Sequence, residues 1–142
     1  MAAHLGMYEN IVPLVAPIDA ATTTPVQTPY LDIASANRAA FLIYFGVVTS
    51  TTATDTMTIT VEASTASTSN AGEEAIAFNY RVSAAVATGN DWGAVTAATS
   101  DGVSLGASTV FDGFAMQIDI DPQAVTEKKP DARWVRVVMT ES

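Results

Sequence analysis

The 142-residue chain contains no cysteine, one histidine and few basic residues. Without cysteine it cannot build a thiolate zinc site, a dithiol redox motif or a cysteine nucleophile. Only 6 Lys and Arg residues stand against 15 Asp and Glu residues, a net charge of −9. A phosphate backbone would meet a repelling surface, so we expect no nucleic-acid partner.

Long apolar runs and targeting signals are also missing. The longest strongly apolar stretch, residues 39–48, is about half of the ~20 residues that a membrane-spanning helix needs. No Lys or Arg precedes Arg38, so the cationic start of a secretory signal peptide is absent. The sequence therefore predicts no membrane contact and no Sec-type export, and its length predicts one compact unit.

The clearest signal present is period-two alternation of hydrophobic and polar residues, which begins after Arg38. Alternation of this kind is typical of strands with one face in the core and one in solvent. Short runs that are apolar on both faces are instead typical of central strands that are covered from both sides. The predicted amphipathic strands are 56–63, 75–83 and 114–121, and the predicted central strands are 41–48 and 134–138.

Helical signals are nearly absent. The pair Asp121-Pro122 fits a helix N-cap followed by proline in the first turn, and predicts one short helix over residues 122–126. Several short strands without intervening helices predict an all-β fold, an antiparallel β-sandwich that is jelly-roll-like.

The N-terminal segment has a different character. Four of the six prolines fall in the first 30 residues, where they interrupt any helix or long strand. Residues 1–33 are therefore predicted to form an extended arm, and residues 34–142 a single β-sandwich domain. The arm is too apolar for a free tail, so we expect it to contact its own subunit or a neighbour. Its candidate contact residues are Ile11, Val12, Leu14, Val15 and Ile18.

Residues 102–106 match the G-x-S-x-G elbow of serine hydrolases. That elbow requires a strand-to-helix turn, followed later in the chain by an acid and a histidine. The sole histidine is His4, and no helix signal follows Ser104. The sequence predicts a turn or a short edge strand here, and no catalytic activity.

The acidic residues form no recognisable site either. Asp119 and Asp121 share a predicted strand face with Asp112 nearby, but the spacing of a calcium-binding loop is absent. Glu73 and Glu74 are adjacent, so on a strand they point to opposite faces. We expect no metal and no cofactor.

Four of the six basic residues lie close together near the C-terminus, around Trp134. Because the chain is acidic, we interpret them as partners of carboxylates on this subunit or on a neighbour. Trp134 is expected to pack in the core or in an interface. The four candidate partner-binding residues are Lys128, Lys129, Arg133 and Arg136.

Segments such as IVPLVAPIDA, TPYLDIASANRAAFLIYFG, EAIAFNYRVSAAV and DARWVRVVMT resemble small virion structural proteins of tailed bacteriophages and prophages. That group has a Pro-interrupted arm before a Thr/Ala-rich β-domain, and the resemblance spans Ile11 to Thr140. It implies a capsid decoration or cement protein on the outer face of the head, made in the bacterial host cytoplasm. Its implied partners are the major capsid protein and neighbouring copies of itself, for example in a trimer.

An alternative is a jelly-roll carbohydrate-binding module, or another virion attachment protein that recognises a surface glycan. Such modules often close with a strand like residues 134–137, and would use an exposed Trp92 or Tyr80 as a sugar platform. A neighbouring major capsid gene would favour decoration, whereas a polysaccharide lyase or hydrolase gene would favour the module.

Overall fold

A computed structural model describes residues 25–46, 56–68, 72–84, 91–105 and 113–141. Within these ranges the chain forms two antiparallel β-sheets and one short helix, so the predicted all-β class is confirmed. In chain order, the elements are β1 (Val26–Gln27), β2 (Leu31–Asp32), β3 (Ala39–Tyr44), β4 (Met57–Ser64), β5 (Glu74–Ile76), β6 (Phe78–Val82), β7 (Thr96–Ala98), β8 (Val103–Leu105), β9 (Ala115–Ile120), α1 (Pro122–Lys128) and β10 (Trp134–Glu141).

The first sheet is built around β4 and β10. These two strands pair along their full length, from Trp134 opposite Ser64 to Glu141 opposite Met57. The short strands β1 and β2 both pair with the other side of β10, and β5 and β8 both pair with the other side of β4. The predicted central position of residues 134–138 is confirmed. Residues 25–33 of the predicted arm therefore lie along β10 of their own chain.

The second sheet has the order β3, β9, β6, β7. Residues 41–48 were predicted to form a central strand, but among the described strands β3 lies at the end of its sheet and pairs with β9 alone. Phe41 is buried, whereas the neighbouring Leu42 and the outward-facing Tyr44 are exposed. The apolar run therefore reflects one buried face and one exposed apolar face.

Both sheets contribute to one cluster of buried hydrophobic side chains. The alternation predicted for residues 56–63 and 114–121 is confirmed, since Ile59, Val61 and Ala63 of β4 and every second residue of β9 are buried. The largest contributions come from positions with no solvent exposure, which are Ile59 and Val61 in β4, Met116 and Ile118 in β9, and Val135 and Val137 in β10.

Residues 75–83, predicted as one strand, form two. β5 belongs to the first sheet and β6 to the second, with the break at the exposed Ala77. Ile76 and Phe78 on either side are both buried. The alternation continues through the corner because strands that change sheets can keep their inward face toward the same core. The hydrophobic alternation therefore does not predict the change of sheet at Ala77.

The predicted helix start is confirmed. Asp121 is the N-cap of α1, and its carboxylate accepts a hydrogen bond from the backbone N–H of Gln123 at 2.9 Å. The helix continues to Lys128, two residues past the predicted end, and Val125 packs into the core. This short helix leads the chain from β9 in the second sheet to β10 in the first.

Candidate functional site

Arg136 lies on the outer face of the first sheet, where its side chain is nevertheless buried. Val135 and Val137 point into the core, which leaves Arg136 on the opposite face, yet it is only 7% exposed. Its Nε donates to Glu62 Oε2 at 2.8 Å, from the directly opposite position of β4. Its Nη1 donates to Gln27 Oε1 of β1 at 2.9 Å. The guanidinium is therefore paired within its own chain, across three neighbouring strands.

Tyr30 covers this arginine from the segment between β1 and β2. The guanidinium carbon of Arg136 lies 4.7 Å from the centre of the Tyr30 ring, a cation–π geometry. The Tyr30 hydroxyl donates to Glu73 Oε1 at 2.7 Å, and Arg136 Nη2 lies 3.5 Å from the same oxygen. We call these residues the Arg136 cluster, which comprises Gln27, Tyr30, Glu62, Glu73 and Arg136.

Burial raises the pKa of Tyr30 to about 12, and the hydrogen bond to the Glu73 carboxylate acts in the same direction. Both effects favour the neutral phenol over the phenolate. The folded state therefore holds the Tyr30 proton more tightly than the unfolded state does. The contribution to stability is complete below the unfolded pKa of about 10 and is lost as the pH rises toward 12.

Tyr30→Phe should therefore flatten the loss of stability between about pH 10 and 12. The measurement is the midpoint of urea unfolding at several pH values for wild type and variant. Contributions that do not involve Tyr30 are common to both proteins and cancel in the comparison. Parallel pH curves for the two proteins would contradict this assignment of the Tyr30 pKa.

The other basic candidates do not converge with Arg136 on one site. Arg133 is exposed, binds Asp32 with Nη2 to Oδ2 at 2.6 Å, and lies over the ring of Trp134. These hydrogen bonds from Arg133 hold the pKa of Asp32 below its usual range. Lys128 lies 3.4 Å from Glu74, again on the surface. The expected pairing of basic residues with carboxylates of the same subunit is thus seen for Arg133, Arg136 and Lys128. Lys129 is the C-cap of α1, and its backbone N–H donates to the carbonyl oxygen of Val125.

Ser104 lies on a short strand and not on the strand-to-helix turn that the G-x-S-x-G elbow requires. It is an exposed residue of β8, opposite Thr58 at the edge of the first sheet, so the predicted short edge strand is confirmed. The preceding Gly102 has a φ of 84° and lies against the backbone of Ile59 in β4. The glycine of this motif therefore lets β8 approach β4 closely.

The carboxylates considered for a metal site have other roles. Asp119 is paired with Arg38, and Asp121 caps α1. Among the residues that the structure describes, no three His, Asp or Glu side chains are grouped to hold a metal ion. The same residues include no helix that is long and apolar enough to cross a bilayer. The remaining candidates lie outside the described residues: His4, Ile11, Val12, Leu14, Val15, Ile18 and Asp112.

Four exposed hydrophobic side chains lie on or beside the second sheet, and we call this group the apolar patch. It comprises Leu42 (71% exposed), Tyr44 (64%), Val95 (62%) and Trp92 (38%). Of these four residues the sequence points only to Trp92, because Leu42 and Tyr44 fall in an apolar run that predicts burial on both faces. The sequence around Val95 gives no indication that this side chain is exposed.

A chain of polar contacts crosses the outer face of the same sheet. The Arg81 guanidinium lies 4.8 Å from the centre of the Trp92 ring, and its Nη2 donates to Gln117 Oε1 at 2.6 Å. Gln117 Nε2 in turn donates to Asp119 Oδ1 at 3.0 Å. These contacts run from β6 to β9 and fix the side chains of this face in place.

An open groove of about 400 Å³ lies beside α1. Its walls are mostly alanine and isoleucine side chains, and its one charged lining residue is Lys128. Binding sites for polar small molecules need several converging polar groups. Few polar groups of the described residues therefore converge on this groove.

Comparison with known proteins finds no match among protein families, curated proteins or solved structures. The two outer faces of the described sheets are the surfaces that bear on function, and they differ in character. The first is closed by the Arg136 cluster, and the second presents the apolar patch.

Proposed function

We propose that this chain is a non-enzymatic structural protein of a tailed-phage virion that binds the outer surface of the capsid and stabilises it. The supporting observation is the position of the apolar patch. Leu42 and Tyr44 project from β3, Trp92 forms a bridge with the residue after β6, and Val95 precedes β7. Every large hydrophobic side chain that the described residues expose therefore lies on or beside the second sheet. Leu42 and Tyr44 lie on β3 at one side of this sheet and Val95 lies before β7 at the other, so a protein surface that covers this face would bury both groups.

In this proposal the two sheets pack face to face as a jelly-roll-like sandwich. Two features support that arrangement: the core cluster draws on both sheets, and the chain changes sheets at Ala77 without losing its inward face. The sandwich has one outer face closed by the Arg136 cluster. The other outer face, with the apolar patch, contacts the capsid.

The predicted contacts outside the patch have a secondary place in this proposal. Lys128 and Arg133 are exposed and paired on the surface, where they suit a polar rim. Arg136 has no free surface to offer a partner. Residues 11–18 of the arm remain predicted contacts with the capsid or with a neighbouring copy.

The test is binding of the purified chain to capsids that lack it, measured by co-sedimentation and by the melting temperature of the particles. We expect saturable binding and a higher melting temperature. Val95→Lys should weaken binding about tenfold or more, because the new ammonium group would be buried in an apolar contact. Thr140→Lys is the matched control, since it adds the same charge at an exposed position of β10 in the first sheet.

Failure of the wild-type chain to bind capsids would overturn the proposal. Equal losses for Val95→Lys and Thr140→Lys would overturn the assignment of the contact to the second sheet. Binding lost in Val95→Lys alone supports both.

Glycan binding is the second candidate, and Trp92 with its stacked Arg81 is the observation that favours it. Of the two expected platforms, Tyr80 packs against the core, which leaves Trp92 beside the polar groups of Arg81 and Gln117. Immobilised host-surface polysaccharide provides the test. Retention of the wild type that is lost in Trp92→Ala, together with no capsid binding, would replace decoration by glycan recognition.

A further inference from the structure

Among the edge strands that the structure describes, β3 is the long one. The strands at the other edges, β1, β2, β5, β7 and β8, have two or three residues each, whereas β3 has six. Natural proteins protect edges by shortening them or by placing charge or proline on them. The β3 sequence AAFLIY has no charged residue and no proline. This edge therefore has the properties of a strand that another strand covers.

The backbone of β3 has groups directed at that edge. Phe45 donates its N–H to Phe114 at 2.9 Å and accepts from Gly113 at 3.1 Å, so its backbone faces β9. Successive residues of a strand direct these groups to opposite sides. Ala40, Leu42 and Tyr44 therefore direct their N–H and C=O groups away from β9. No strand within the described ranges pairs with them.

We propose that β3 pairs antiparallel with β3 of a second copy of this chain, with the two-fold axis at Phe41. This register places Leu42 opposite the partner's Ala40, a large side chain against a small one. It also places Tyr44 opposite the partner's Arg38. The chain stacks arginine on an aromatic ring in three other places, which are Arg81 on Trp92, Arg133 on Trp134 and Arg136 on Tyr30.

The charges near β3 permit this contact although the whole chain carries −9. The strands of the second sheet carry outward Arg81 and Asp119, and Arg38 precedes β3. Arg38 is already paired with Asp119, so the edge brings no unpaired charge into the contact. More distant acidic groups are screened over about 8 Å at physiological salt. Pairing would join the two second sheets into one sheet of eight strands, and this inference holds independently of capsid binding.

Analytical ultracentrifugation of the free protein tests the pairing. Wild type should sediment as a dimer, and Leu42→Lys should raise the dimer dissociation constant about a hundredfold or more, because two ammonium groups would enter one apolar contact. Val95→Lys is the matched control, with a similarly exposed residue at the opposite side of the sheet. It should remain dimeric. A monomeric wild type, a trimer, or equal effects of both variants would overturn the proposal.

Amide hydrogen exchange identifies which backbone groups are covered. Ala40 and Tyr44 should exchange slowly in wild type and in Val95→Lys but rapidly in Leu42→Lys. Ile43, which faces β9, should exchange slowly in all three. Slow exchange of Ala40 and Tyr44 in a monomer would instead show that a segment of the same chain covers the edge, and would overturn pairing between copies.

Charge pairing tests the register. Ala40→Glu and Leu42→Lys should each be monomeric alone and form a heterodimer when mixed, because the two charges then face each other. A mixture of Leu42→Glu with Leu42→Lys would associate more strongly if the axis passed through Leu42, and that result would contradict the register. Val95→Lys separates this inference from the capsid proposal, since it should lose capsid binding and keep the dimer.

Discussion

Arg136→Ala is expected to lower the free energy of unfolding by about 3–5 kcal/mol, as is typical when one partner of a buried ion pair is removed. The variant leaves Glu62 and Glu73 facing each other with side chains only 24% and 16% exposed. It also leaves the Gln27 amide oxygen without its donor. Urea unfolding at neutral pH provides the measurement, with the midpoint and the slope fitted separately.

Arg133→Ala is the matched control for this prediction. Arg133 is also bonded to a carboxylate and also lies against an aromatic ring, but its side chain is 56% exposed. Solvent screens such a pair, so we expect little change in stability. Similar losses for both variants would mean that burial does not distinguish the two arginines. A near wild-type Arg136→Ala would contradict the structural role of the Arg136 cluster.

The strands that the sequence predicts well are those with one polar face. In β9 the alternation of buried and more exposed residues spans the whole strand, and in β4 it spans the middle of the strand. The N-cap at Asp121 has a local chemical cause. The wrong predictions share a different cause. An apolar run such as β3 has the same composition whether its second face is covered by a sheet or left for another molecule. The corner at Ala77 leaves the alternation intact, so periodicity cannot reveal it.

The candidate site, like the fold, can be predicted from the sequence only in part. An arginine between apolar residues in a central strand requires a carboxylate, so the need of Arg136 for one follows from the sequence. Its partners do not, because Glu62 and Gln27 are 74 and 109 residues away along the chain. Adjacent Glu73 and Glu74 contact different cations, Arg136 and Lys128, and neither partner is evident from the sequence. The exposure of Leu42 cannot be predicted from the sequence, because it depends on the outer face of β3 being left uncovered by the described residues.

Gly102→Ala is expected to destabilise the fold by about 2–5 kcal/mol, from two separate causes. The φ of Gly102 is 84°, which strains any residue with a side chain. A methyl group at this position would also overlap the carbonyl oxygen of Ile59 in β4. Because that oxygen belongs to the backbone of a central strand, β8 must move away to relieve the contact.

Gly113→Ala separates the two causes. Gly113 has a similar φ of 73°, but an added methyl group there meets no atom of the described residues within 4 Å. It should show the backbone strain alone, about 1–2 kcal/mol. The excess loss in Gly102→Ala, measured by urea unfolding of both variants, then reports the close approach of β8 to β4. Equal losses would mean that β8 gives way freely, and that the glycine of the G-x-S-x-G match serves backbone conformation alone.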